Sequence, residues 1–126
     1  MFLSVLFVLV FATATSAHTV TVRGMFLCQM NLRLPVFVEL MESDAFGDDR
    51  LQWKNTVVWQ FFEIKGSEDE RYSITPYLRV SHKCRGFEET LIIHFGHRKG
   101  DVIINLGDVD LEDPETNAVL RHKYVF

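Results

Sequence analysis

The apolar positions after residue 17 fall on every second residue. Val20, Val22, Phe26 and Cys28 alternate with Thr19, Thr21 and Arg23, which predicts a half-buried strand. Gly24 interrupts that run and marks a bulge or a point of close packing. A second strand follows Pro35, where Val36, Val38 and Leu40 alternate with Phe37, Glu39 and Met41. Residues 43–49 (SDAFGDD) read as a turn-rich loop. Residues 51–65 are rich in Trp, Val, Phe and Ile, with Phe62 and Ile64 on one face. Residues 66–71 read as a charged loop. Leu78, Val80 and His82 alternate with Tyr77, Arg79 and Ser81. Two short apolar runs, 91–95 and 102–106, flank a Gly-bounded stretch at 96–100 that predicts a hairpin. Val109 and Leu111 continue the last strand. Asp113, Pro114 and Glu115 supply an N-cap, a first-turn proline and a first-turn acid, so a short terminal helix is expected. About seven short strands in one domain-sized chain predict an all-β sandwich.

Residues 1–17 follow a different rule. They carry no charged side chain, and residues 2–12 form a nearly unbroken apolar run. That length suits the apolar region of a secretory signal better than a membrane span. Small residues follow, and cleavage after Ala17, starting the mature chain at His18, is preferred to cleavage after Ala14. An uncleaved anchor or a buried first helix is the competing reading. The expected organisation is a signal at 1–17 and one β-sandwich domain at 18–126, secreted and extracellular.

Secretion changes the meaning of Cys28 and Cys84, the two cysteines of the chain. An even pair in an oxidising compartment suggests a bridge, with two buried thiols or an intermolecular pair as alternatives. A bridge would close a loop of about 57 residues and contribute roughly 4 kcal/mol in the chain-entropy treatment. A net charge of −4 without a basic cluster excludes a nucleic-acid partner.

The residues carry a resemblance. Thr19-Val20-Thr21-Val22-Arg23-Gly24 precedes Cys28; Pro35-Val36-Phe37-Val38-Glu39-Leu40 follows. Asp48-Asp49, Thr56 and Phe62-Glu63-Ile64-Lys65-Gly66 come next, then Ile74-Thr75-Pro76-Tyr77-Leu78-Arg79-Val80-Ser81-His82-Lys83-Cys84 and Leu106-Gly107-Asp108-Val109-Asp110-Leu111. This pattern resembles the transthyretin-like family of secreted nematode proteins. The resemblance implies a transthyretin-like sandwich with no settled enzymatic activity, and it implies the Cys28–Cys84 bridge. The family usually carries Thr-Asp-x-x-Gly-x-Phe between its third and fourth strands. Here Val57 and Gln60 replace the Asp and Gly, so another turn type, or another course of the strands, is expected.

Candidate chemistry is sparse. Trp59 and Phe61 lie near that turn and are expected to face outward, as contacts for a protein, a lipid surface or a second subunit. The competing reading packs them on a neighbouring loop. His94, His97 and His122 are too few and too spread to promise a zinc site. His82 shares a face with Cys84 and reads as a structural hydrogen-bonding residue. A calcium loop at Asp48 and Asp49, or at Glu68 and Asp69, lacks the EF-hand spacing. Lys83, Arg85, Arg98 and Lys99 would form a basic patch only if their loops are adjacent. The 5-hydroxyisourate hydrolases of this fold end in Tyr-Arg-Gly-Ser, whereas Tyr124 here is followed by Val125. The expectation is a non-enzymatic module without catalytic residues, metal or cofactor, a monomer or homodimer, acting on a protein or lipid surface. A carrier with an apolar cavity is the alternative.

Overall fold

The alternating runs form strands because each has one apolar face and no partner in its own segment for its backbone groups. The structure is a computed structural model; it describes residues 17–69, 73–113, 115, 117, 119, 120 and 124. Among these, seven strands occur in the order β1 (His18–Leu27), β2 (Pro35–Glu42), β3 (Asp49–Val57), β4 (Phe61–Glu68), β5 (Pro76–His82), β6 (Glu89–His94) and β7 (Asp101–Asp110). They make two sheets, β4-β1-β7 and β3-β2-β5-β6. β1 pairs antiparallel with β4 and parallel with β7, while the four-stranded sheet is antiparallel throughout.

The two inner faces close on one core. Val20, Val22 and Phe26 of β1 meet Val36, Val38 and Leu40 of β2, Leu78 and Val80 of β5, and Leu91 and Ile93 of β6. Phe26 stacks on Phe62, ring centroids 4.8 Å apart. Gly24 permits a tight approach: a Cβ there would lie 3.1 Å from both the Gly107 carbonyl oxygen and Leu106 Cβ. The register of β1 on β7 shifts at this point, as the sequence suggested.

Two expectations are corrected. Gly66, Ser67 and Glu68 belong to β4, not to a loop. Gly66 is buried, and a Cβ there would lie 2.7 Å from Leu51 Cβ, so the glycine makes room for packing rather than a turn. The predicted hairpin across 96–100 does not form. β6 ends one sheet and β7 the other, with β7 lying parallel to β1. The connection is held by an Ile74–Arg98 bridge and by Gly100 N–H donating to His18 Nδ1. β3 and β4 also sit in different sheets: of the two expectations for this span, the other course of the strands holds, and residues 58–60 cross the sandwich instead of closing a hairpin. The terminal helix is present at Glu115, Asn117, Val119 and Leu120, capped by Asp113 Oδ1 accepting the Glu115 N–H at 2.9 Å. Residues 1–16 lie outside the described residues, so the signal and its cleavage remain expectations from sequence. No described helix is long and apolar enough to cross a membrane.

Candidate functional site

One end of the sandwich is tied together more closely than its chain connectivity requires. The loop after β1 and the loop after β5 are joined by the Cys28–Cys84 disulfide. The β3–β4 crossing docks on the same place. Val58 N–H donates to the Leu34 carbonyl at 3.0 Å, and Trp59 N–H to the Phe26 carbonyl at 2.8 Å. Trp59 Nε1 donates to the Cys28 carbonyl at 3.3 Å. After β7, Glu112 Oε1 accepts the backbone N–H groups of Gln29 and Met30. His82 is buried beside the bridge, and its Nδ1 accepts the Cys84 N–H at 3.1 Å. Burial lowers the pKa of this imidazole, because its charged form loses hydration. His82 is thus the structural residue its position suggested.

Trp59 has φ = 67°, the one positive value among described residues other than glycine. The positive-φ position lies one residue before Gln60, where the family's glycine would stand. A bulky side chain in this region is strained by about 1–2 kcal/mol and persists only where contacts over-determine it. The two hydrogen bonds of Trp59 supply that restraint. Its ring is still 40% exposed, and Phe61 is 83% exposed. Trp59 thus packs on a loop and also faces water. Met30, Leu32 and Phe87 add exposed apolar side chains on neighbouring loops of the same end. Phe46, 99% exposed, lies on the β2–β3 loop at the opposite end.

Other sequence candidates do not converge. His94 packs against Tyr77 with the rings tilted by 48° and their centroids 5.6 Å apart, whereas His97 Nδ1 meets Thr75 Oγ1 at 2.9 Å. His122 lies outside the described residues. Lys83 and Arg85 precede β6, and Arg98 and Lys99 follow it, so the strand separates them and no shared basic patch forms. Arg85 is engaged by Glu89 and by the Phe87 ring. Its ion pair with Glu89 lowers the Glu89 pKa. The oxidised cysteines leave no thiolate for a Cys–His nucleophile.

Three arrangements were not visible in the sequence. On the outer face of the four-stranded sheet, Glu39 is 6% exposed and receives Arg79 twice, at 2.8 and 3.1 Å, and Arg50 at 3.3 Å. The Arg79 hydrogen bonds hold its carboxyl below the usual range against the opposing effect of burial. Tyr77 donates its hydroxyl to Asp48, and burial, reinforced by that bond, pushes the Tyr77 pKa to about 12. Glu42, Asp49 and Glu68 each place one carboxylate oxygen within 4.8 Å of the others. Three carboxylates fall short of a full calcium shell. Register pairs Glu39 with Arg79 and Glu42 with Asp49, and sheet packing and the loop before β3 add Glu68 and Asp48; neither is written in a local pattern.

A groove of about 610 Å³ opens on the same outer face. Its wall combines apolar and polar side chains and stays open to solvent, unlike the enclosed apolar cavity expected of a carrier.

The described residues thus form a two-sheet sandwich with an intersheet disulfide and a surface tryptophan at positive φ. The chain belongs to the transthyretin-like family: the profile of the Transthyretin-like family matches residues 23–99, more than half of its length. It is similar to Transthyretin-like protein 16 of Caenorhabditis elegans, 39% identical over 68 residues, which cover 53% of this chain and 52% of the relative. The chain thus spans about half the length of the curated relative it matches.

Proposed function

We propose that this protein is a secreted, non-enzymatic binding module that engages a protein or lipid surface outside the cell through Trp59 and Phe61. The observation that carries the reading is the backbone of Trp59. A strained, positive-φ residue is stabilised by two hydrogen bonds, yet its ring is left partly in water beside an almost fully exposed Phe61. Strain held in place without being needed to fill a core points to selection for the surface it presents. Rigid aromatic anchors on a cross-linked base lose little entropy on binding. The disulfide is compatible with an oxidising, extracellular setting, and the apolar first 17 residues support export.

The test expresses the chain with its own leader. The intact mass of the medium fraction should correspond to a chain starting at His18 with both cysteines oxidised. The purified protein should bind phospholipid vesicles or immobilised extracellular proteins, and Trp59→Ser with Phe61→Ser should abolish that binding while leaving the fold intact. Retention of the protein inside the cell, or undiminished binding by the double variant, would overturn the reading.

A further inference from the structure

The outer face of the four-stranded sheet carries a second recognition feature. Register places Phe37 opposite Asn55 on one side and Ser81 on the other, and places Glu39 opposite Trp53 and Arg79. All of these side chains share the outer face. The Phe37 and Trp53 rings lie 5.9 Å apart, tilted by 41°. Asn31 and Leu34 border the groove from the loop after β1, Pro35 from the start of β2, and Lys83 and Glu88 from the loop after β5. Its volume of about 610 Å³ lies within the range of small-ligand sites.

The chemistry of this lining selects among ligand classes. Glu39 is already neutralised by Arg79 and Arg50, so its carboxylate does not call for a cation. The cluster keeps one net positive charge, carried by arginines open to solvent, and Lys83 and Glu88 cancel. A phosphate or polyanion would therefore meet a single charge screened by water and salt. A wholly apolar ligand would strip water from Asn55 and Ser81 without replacing their hydrogen bonds, which is costly. These two side chains, with Lys83 and Glu88, make no hydrogen bond to another side chain among the described residues, so they can serve a ligand. Asn and Glu side chains each present two polar atoms, a spacing that suits paired hydroxyls. An aromatic ring face is electron-rich and attracts the partly positive C–H groups of a sugar ring. The floor is also pre-organised, because β2 and β5 are central strands and the Arg50–Glu39–Arg79 cluster fastens them to β3.

We infer that this groove binds a neutral oligosaccharide, with Phe37 in its wall and Trp53, which packs against Phe37 just outside it, as the stacking surface, and Asn55, Ser81 and Glu88 as hydroxyl partners. This site is separate from the Trp59 and Phe61 surface and goes beyond that reading.

The experiment uses the secreted protein and a set of defined probes. Cellotetraose, maltotetraose, tetra-N-acetylchitotetraose and N-acetyllactosamine are the neutral ones; a heparin tetrasaccharide and a saturated fatty acid represent the rejected classes. Saturation-transfer NMR and titration calorimetry read binding. At least one neutral probe should bind at millimolar concentration or better. Its affinity should fall by roughly tenfold or more in Trp53→Ala and in the double variant Asn55→Ala with Ser81→Ala. Trp53 and Asn55 lie on an exposed edge strand, so these variants should keep the wild-type melting profile. Trp59→Ser with Phe61→Ser should bind the sugar as wild type does, which separates this inference from the surface reading. Absence of binding by every neutral probe would overturn it. So would preference for heparin or the fatty acid, or sugar binding that survives the Trp53 and Asn55/Ser81 variants.

Discussion

Trp59 donates its indole N–H to the carbonyl of Cys28, 3.3 Å away, so the β3–β4 crossing is fastened to the residue that carries the disulfide. The bond fixes the ring while φ stays at 67°. Two variants separate its roles. Trp59→Phe removes the indole donor and keeps the strain, and should lower stability by about 1 kcal/mol. Trp59→Gly relieves the strain while losing the ring, so the two effects offset each other to within ~1 kcal/mol. Chemical denaturation checks both. The glycine variant should fold about as well as wild type and still fail to bind its surface partner.

The Cys28–Cys84 bridge spans a sequence separation of 56 residues and joins a loop of the three-stranded sheet to one of the four-stranded sheet. Its removal frees the unfolded chain. Cys28→Ala with Cys84→Ala should cost roughly 4 kcal/mol. The check is urea denaturation of the double variant beside oxidised wild type, and reduction of wild type should shift the midpoint in the same direction.

Glu39 and Arg79 form the polar centre of the outer sheet face. Glu39→Gln leaves two guanidinium groups adjacent without their counter-charge. Arg79 is partly exposed, so solvent softens the loss, and about 1–3 kcal/mol is expected. Glu39→Leu with Arg79→Leu should destabilise less than Glu39→Gln alone, because no buried charge is left unpaired. A double-mutant cycle reads the difference.

Acid should weaken the fold in two stages. His82 has a pKa lowered from 6.5 by burial, so above that value the ring is neutral whether the chain is folded or not. As pH falls below 6.5, the unfolded chain takes up a proton that the folded chain refuses, and stability declines toward the lowered folded value. One such proton gives a slope of at most about 1.4 kcal/mol per pH unit. Glu39 has a pKa lowered from 4.5, chiefly by its Arg79 hydrogen bonds. Its contribution is complete above 4.5 and is lost as pH falls through the depressed folded value. Denaturation midpoints across this range test the sign. His82→Asn, whose Oδ1 can still accept the Cys84 N–H, should flatten the upper stage and leave the lower one.

Gly66 gives a steric prediction. A Cβ there would lie 2.7 Å from Leu51 Cβ and 3.1 Å from a Leu40 methyl. Leu51 Cβ cannot swing aside without its backbone, so Gly66→Ala should cost about 1–3 kcal/mol, despite the usual gain from removing a glycine in a strand. Thermal melting of Gly66→Ala checks it, and Leu51→Ala in the same chain, which keeps the clashing Cβ, should not rescue the loss.

The strands were legible where alternation was unbroken, as in Val36, Val38 and Leu40, or Leu78, Val80 and His82. These positions are buried as the pattern required. The family resemblance came from the segment ending in Cys84 and implied the bridge that joins the loops. What failed was pairing. The glycines at 96 and 100 resemble hairpin punctuation, yet both have positive φ in a connection that crosses between sheets. Gly66 was read as a turn because its requirement is room for Leu51, a residue distant in sequence. Glu39 and Met41 alternate with the core positions of β2, and both are buried by neighbours that only register supplies. Phe61 was placed correctly outward by alternation with Phe62. Trp59 was half legible, since no pattern signals a tryptophan at positive φ.

The claim that Trp59 and Phe61 form the recognition surface is tested most directly by equilibrium binding to intact cells of the source organism. Wild type, Trp59→Ser with Phe61→Ser, and Trp53→Ala are each labelled and titrated, with matched circular dichroism to show that all three are folded. Saturable binding by wild type and by Trp53→Ala, with a loss of roughly tenfold or more in the double variant, is the predicted result. Equal binding by all three proteins, or loss only in Trp53→Ala, would contradict it and move the recognition surface to the outer sheet face.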